Sequence, residues 1–584
     1  MTLGASGTGA LFFSGTTTIA GPTTLTTLGA GIVFSGKFTG NNAFSKGGAA
    51  NLFLNGTTND YGGAFTLTAG NLLIADFNLG TPNQLGTAAS LTLSGGVCFI
   101  NGNTAYSSFA TPISGTADVY VTNTSSGGVT FTGSALSSYN GSLRLYTDSA
   151  YGSATVQKIT TTALASSNFF FLTGGGLSSQ VSQTLVYNGT SALAYGNAIL
   201  ILPQSGPGIT AKIENASSNN TAISFSGTLS NNGTSAYATS IEFATTNANI
   251  THSGNITEAS TGTLNLSKTG SNALTLSGST STYKGTVSVS AGTLNANSAT
   301  ALGAASSTAG ISVTSGATLS LGAALSYSSP GRTTSISGTG VGGTAGALVI
   351  ARTGDVNVGS ISLTGPTTIR GTVTGGRLTS SITGTQNLAL NIDTSVTTTL
   401  AGAISTSAGS LTKSGSGTLS LTNGTNAYSG GTTISAGTLS FSSGALGSSG
   451  SVSVSSAALQ WLNANTQDLS ARLVMPSIGG YSEIDVGANN VSFASAIGNS
   501  GSAALYKSGT GALTLTQAST YTGLTTIAAG TLRAGTANAL ASSSQVAIGA
   551  NTATLQTLTT GGQNGKLTVA SLNNAAGGTI KIGG

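Results

Sequence analysis

Charge is scarce in this chain. Only 29 of its 584 residues are charged (17 Lys+Arg and 12 Asp+Glu), 5% against about 25% in an ordinary globular domain. Its surface must therefore be built largely from Ser, Thr, Asn and Gly. The net charge of +5 is thin over such a length, and the basic residues are scattered. A nucleic-acid surface would cluster them among aromatics, so none is expected, and the basic residues read as solubility features. Cysteine occurs once, as Cys98 in GGVCFI, which rules out an intrachain disulfide; the residue reads as a small buried apolar group. Histidine also occurs once, as His252 in ITHSGN. A zinc site ordinarily needs three or four His or Cys ligands, and a Ser-His-Asp centre would need a nucleophile elbow that is not present. No run approaches the 18 or so apolar residues of a membrane helix. The longest, AILILP (198–203) and NFFFL (168–172), suit buried strands, and no membrane span is expected. The first residues carry no basic segment ahead of an apolar one, so no signal peptide is expected. Helical periodicity is nearly absent.

What the chain does have is period-2 alternation of Thr and Ser with Val, Ile and Leu, as in TLSLTN (418–423), SVSVSS (451–456) and ISVTSGATLSLG (311–322). That pattern suits half-buried strands. Glycine, 87 residues, clusters with Asn and Ser between these runs and supplies turns. Asn-Gly occurs at 55–56, 101–102, 140–141, 188–189, 232–233, 423–424 and 564–565. Such a pair can close a hairpin, but the repeat spacing favours coil corners.

One block recurs. Residues 411–446 read LTKSGSGTLSLTNGTNAYSGGTTISAGTLSFSSGAL, 505–540 read LYKSGTGALTLTQASTYTGLTTIAAGTLRAGTANAL, and 266–302 read LSKTGSNALTLSGSTSTYKGTVSVSAGTLNANSATAL; a looser copy lies at 52–85. Tyr428 to Leu439, Tyr521 to Leu532, Tyr283 to Leu294 and Tyr61 to Leu72 are each 11 residues apart. Leu419 to Leu439, Leu274 to Leu294 and Leu52 to Leu72 are 20 apart, and Leu513 to Leu532 is 19. A constant offset predicts one coil per offset: an all-β solenoid of about 20 residues per coil, in which successive turns stack side by side in the same direction. At that length the chain makes on the order of 29 coils, a single elongated rod roughly 140 Å long at the usual strand spacing. Residues 1–250 carry the pattern less cleanly than 251–584, which places a soft boundary near 250.

The motif K-S/T-G-x-G-x-L-x-L followed by Y, G and A-G-T-L resembles the autotransporter-associated β-strand repeat, also called the passenger-associated transport repeat. The matching residues are Lys413, Gly415, Gly417, Leu419, Leu421, Tyr428, Gly430, Thr433, Ile434, Ala436, Gly437, Thr438 and Leu439, with the same pattern from Lys507 to Leu532 and from Lys268 to Leu294. The resemblance implies a right-handed parallel β-helix at a bacterial cell surface, exported through an outer-membrane barrel and used as a stalk, an adhesin or occasionally an enzyme scaffold. No C-terminal barrel pattern accompanies it here.

No catalytic, cofactor-binding or metal-ligating residues are assigned. Glu483 and Asp485 share a strand face in YSEIDVG and read as a solvated pair; Lys212 with Glu214 reads as an exposed ion pair, and Arg352 with Asp355 and Asp468 with Arg472 as similar local pairs. The Gly-rich runs TGGGLSS and GVGGTAG lack the Lys-Ser/Thr of a phosphate loop. The recurring Tyr61, Tyr283, Tyr428 and Tyr521 read as corner residues covering the apolar edge of the coil, or as an exposed ladder stacking on sugars or a second copy. Trp461 is expected to be buried or capping. The expected function is a non-enzymatic extracellular structural protein that self-associates into a surface filament or stalk. The alternative is an autotransporter passenger acting as an adhesin that meets glycans or host surfaces, with ice binding through Thr397–Thr399 as a variant. A carbohydrate-active enzyme would need Glu483 and Asp485 to work as a pair.

Overall fold

A computed structural model describes the chain except for residues 5–7, 57, 75–84, 86–87, 103–106, 124–127, 134, 148–155, 162–163, 165–167, 174–180, 204–208, 233–237, 259–261, 328–330, 541–544, 550–552, 558–570, 574–577 and 582–584. The fold is all-β, 49% strand, a β-solenoid of about 21 turns with roughly 23 residues per turn. All strand pairings among the described residues are parallel, as in Leu411–Ser414 on Thr432–Ile434 and Thr418–Leu421 on Thr438–Phe441. Alternation drives this. In Leu388–Ile392 and Leu143–Thr147 every second side chain is buried and the others face outward, so the inward aliphatics of each turn fill the interior against those of the next. Each buried Leu or Ile contributes roughly 1.5–3 kcal/mol. The backbone gives its hydrogen bonds to the neighbouring turns.

The chain divides into two compact units, Met1–Ala309 and Gly310–Gly584. In the first, one parallel sheet runs from Leu11–Phe13 through Asn71–Ile74 and Phe169–Thr173 to Ile256–Glu258. In the second, one sheet runs from Gly354–Val356 through Thr397–Leu400, Thr438–Phe441 and Tyr481–Asp485 to Ser571–Asn573.

The leucine pairs expected from spacing are register partners: Leu52 with Leu72, Leu274 with Leu294, Leu419 with Leu439 and Leu513 with Leu532. Turns outside the repeats are longer. Phe169 pairs with Ile199 and Leu185 with Ile213, offsets of 30 and 28, so the turns are longer and fewer than the repeats alone suggest. Asn-Gly at 55–56, 140–141, 188–189 and 423–424 falls between strands, as corners do. Asn101-Gly102 instead ends the strand Val97–Gly102, while Gly233 and the pair at 564–565 lie outside the described residues.

Candidate functional site: buried lysine clasps and one outer groove

The repeat builds its own site at a glycine turn. In the copy at 411–441, Leu411–Ser414 leads through Gly415 (φ 72°) into Thr418–Leu421, and one coil later Thr432–Ile434 leads through Gly437 (φ 65°) into Thr438–Phe441. Positive φ suits glycine. A Cβ on Gly437 would lie 2.4 Å from the Gly417 carbonyl oxygen, so the two turns stack at backbone contact. Among the described residues the Ser414, Gly415 and Ala436 carbonyls at this corner have no backbone donor, and buried carbonyls need one. Lys413 supplies it. It occupies an inward position with no exposed surface. Its Nζ donates to the carbonyls of Ser414 (3.0 Å), Gly415 (2.7 Å) and, on the next turn, Ala436 (3.0 Å).

The same clasp recurs. Lys268 donates to Thr269, Gly270 and Ala291 at 2.7–2.9 Å. Lys507 donates to Ser508, Gly509 and Ala529 at 2.6–3.1 Å. Lys46 donates to Gly48, Ala50 and Ala69 at 2.6–2.9 Å. All three ammonium donors are used each time, which is the full capacity of a lysine, and all four side chains have no exposed surface. Burial pushes each ammonium down from 10.5 to about 8. These four are therefore not solubility features. Apolar surroundings remove them from water, and the turn carbonyls hold them. Lys46 is absent from the copy read as starting at residue 52; a constant offset of six from Lys to the first strand leucine (Lys46–Leu52, Lys268–Leu274, Lys413–Leu419, Lys507–Leu513) reveals it.

The repeat tyrosines are buried as well. Tyr61, Tyr283, Tyr428 and Tyr521 are at most 1% exposed. Tyr428 and Tyr521 hydroxyls bond the Oγ1 of Thr432 and Thr525, both at 2.7 Å. Tyr61 donates to the Asn42 and Ala64 carbonyls, and Tyr283 to the Ala301 carbonyl. The corner reading holds, and the exposed ladder does not: a buried ring cannot stack on a sugar. Tyr139 repeats the arrangement without the motif, donating to Ala117 and Ser142.

The remaining candidates separate. Cys98 is buried, and burial raises its thiol. Trp461 is buried, with Nε1 on the Gln467 carbonyl at 2.9 Å. His252 is 1% exposed; neither ring nitrogen makes a hydrogen bond among the described residues, and burial, opposed in part by the Asn255 backbone, pushes its pKa down to about 4. Lys212 and Glu214 form the expected ion pair at 3.2 Å. Two other pairs do not form. Arg352 donates to the Asp355 carbonyl, and the Asp355 carboxylate pairs with Arg377 instead. The Asp468 carboxylate accepts from the Ser470 and Ala494 amides, while Arg472 donates to the carbonyls of Leu446, Gly447, Ser449 and Gly450. Orphan corner carbonyls outcompete the nearby carboxylate. Thr398 points inward between exposed Thr397 and half-buried Thr399, so these three make no continuous hydroxyl row. GVGGTAG forms a single 3-10 turn at Val341–Gly343, and TGGGLSS lies, beyond Thr173, outside the described residues.

Glu483 and Asp485 do share an outer face, on Tyr481–Asp485. Asp485 accepts from Gln460 Nε2 (2.7 Å) and from the Gly487 amide; Glu483 Oε1 accepts from Ser508 Oγ (2.7 Å). Beside Glu483 a shallow groove of about 490 Å³ is lined by Tyr481, Ala504, Leu505, Tyr506 and Thr526. Among the described residues no three His, Cys, Asp or Glu side chains gather as a metal site, and no helix is long and apolar enough to cross a membrane.

Fold and clasp define a parallel β-solenoid whose turns are pinned by buried ammonium groups. The passenger-associated-transport-repeat model matches residues 44–74, 266–296, 411–441 and 505–534, each holding one clasp lysine, so the β-solenoid carries four passenger-associated transport repeats. No curated protein and no solved structure matches it. Passenger repeats suggest a secreted or cell-surface protein.

Proposed function

We propose that the chain is a non-enzymatic extracellular scaffold whose copies associate with one another at a bacterial surface. One observation carries this reading: the lysine and the tyrosine that recur at the same motif position in all four repeats are turned inward and committed to holding successive turns together. They are spent on mechanical continuity and cannot reach a substrate. Stability spread over nearest-neighbour interfaces suits a load-bearing element. Association is supported by the weakness of repulsion between copies that carry so few charges, and by the exposed Ile478 (89%) and Val474 (42%). Sedimentation velocity of the full chain at rising concentration, with electron microscopy of the same samples, tests it. The expected result is concentration-dependent growth into elongated assemblies; a monomer at every concentration contradicts the association.

A further inference from the structure

The groove on the outer face of Tyr481–Asp485 differs from the surface around it. On the turns before it the outward polar groups pair in the run Ser440 to Gln460 to Asp485, and Glu483 Oε1 accepts from Ser508. The other polar groups of the groove do not pair. Among the described residues no hydrogen bond involves the hydroxyls of Tyr481, Tyr506 or Thr526, or Glu483 Oε2, although their neighbours are paired. The register puts Glu483, Tyr506 and Thr526 side by side on three successive turns. The Tyr481 and Tyr506 rings lie 6.4 Å apart at 57°, and Tyr481 is 41% exposed.

We infer that this groove is a carbohydrate subsite that takes a neutral hexose unit of a glycan. A pyranose has an apolar face of C–H bonds and a rim of hydroxyls. Tyrosine rings offer area to the first at little entropic cost. A carboxylate oxygen, two phenols and a threonine hydroxyl offer partners to the second. The volume lies within the usual range for a small-ligand site. Charge selects among ligands. Glu483 and Asp485 face outward here, and the nearest lysine, Lys507, has its three donors committed inside, so an anionic sugar is repelled. A small quaternary cation would match the rings and carboxylate but would leave the hydroxyls and most of the volume unused. The proposal goes beyond the scaffold reading and does not involve the buried repeat tyrosines.

The test is titration of the full chain with maltohexaose and cellohexaose, followed by calorimetry and by tyrosine fluorescence, with tetramethylammonium chloride as a separate arm. Binding of at least one hexaose is expected. Tyr506→Ala should weaken it about tenfold or more, Glu483→Gln by a few-fold, and Thr399→Ala, outside the groove, not at all. All three positions face outward, and circular dichroism confirms that each variant keeps the fold. Four results overturn the proposal: no response to either sugar at millimolar concentration, sugar binding unchanged in Tyr506→Ala, a response to tetramethylammonium alone, or loss of self-association in Tyr506→Ala without any sugar response.

Discussion

Two stretches of the first unit solve one problem differently. From Leu264–Thr269 to Thr293–Ala296 the turn is short: Leu266 pairs with Val287 and Leu274 with Leu294, and Lys268 bridges the glycine corners. From Val156–Thr161 to Ile209–Asn215 the turn is long, with Leu185 pairing Ile213, and Gln183 stands buried at an inward position where it donates to Thr147 Oγ1 and the Leu172 carbonyl. Aromatics fill that core, including Phe169 against Phe171 at 5.0 Å and Tyr195 against Phe225 at 5.9 Å. At the repeat corner three carbonyls converge on one inward cation that satisfies them at once. The wider coil has room for an amide and rings. Turns of twenty residues also form without a clasp, as Ile32 on Leu52 and Leu439 on Leu459 do, so the lysine satisfies the corner carbonyls of the repeat and does not set the turn length.

The comparison can be broken most sharply at the clasp. Lys413→Met keeps the packing but leaves three buried carbonyls without a donor, at a cost of roughly 2–4 kcal/mol. Hydrogen exchange should show the loss concentrated in 411–441, because repeat stability is local; Lys284→Met, at an exposed site, should stay within about 0.5 kcal/mol. Gly437→Ala comes next, at roughly 1–3 kcal/mol, since it combines positive φ with a Cβ against backbone; thermal denaturation reads it. Tyr428→Phe removes one buried hydroxyl bond and should cost about 1 kcal/mol.

On the strand beside the Lys268 repeat, His252→Leu should stabilise by about 1 kcal/mol, because it removes a buried imidazole that makes no ring-nitrogen hydrogen bond among the described residues from between Phe225 and Leu276. The pH dependence separates the two kinds of turn further. The clasp lysines have folded pKa values near 8, below the ordinary 10.5. Between those values the unfolded chain binds more protons, so stability should rise with pH from about 8 to 10.5. Urea unfolding followed at the repeats should show that positive slope, and Lys→Met variants should flatten it.

Much of the fold was legible because a parallel coil writes its period into the chain. Leu419 to Leu439 gave both the register and the turn length at the repeats. The longer turns were not legible, since Phe169 and Ile199 carry no motif that marks them as partners. The direction of Lys413 was not legible from composition either: a lone lysine in a strand reads as outward until three turn carbonyls are seen converging on it. Nor could the motif show which side of the coil it occupies. Lys413 lies in the strand series that continues to Leu473–Val474, whereas Lys507 lies in the series of Thr438–Phe441 and Tyr481–Asp485. The clasp works in both because its partners are local. Of the outer groove, Glu483 stood out in the sequence, but Tyr506 and Thr526 joined it only through register.

Amine labelling of the folded chain, read residue by residue by mass spectrometry, tests the clasp most directly. Lys37, Lys212 and Lys284 should label quickly, while Lys46, Lys268, Lys413 and Lys507 should stay unmodified until the chain is unfolded. Labelling of those four at the rate of Lys284 in the folded state would contradict the account.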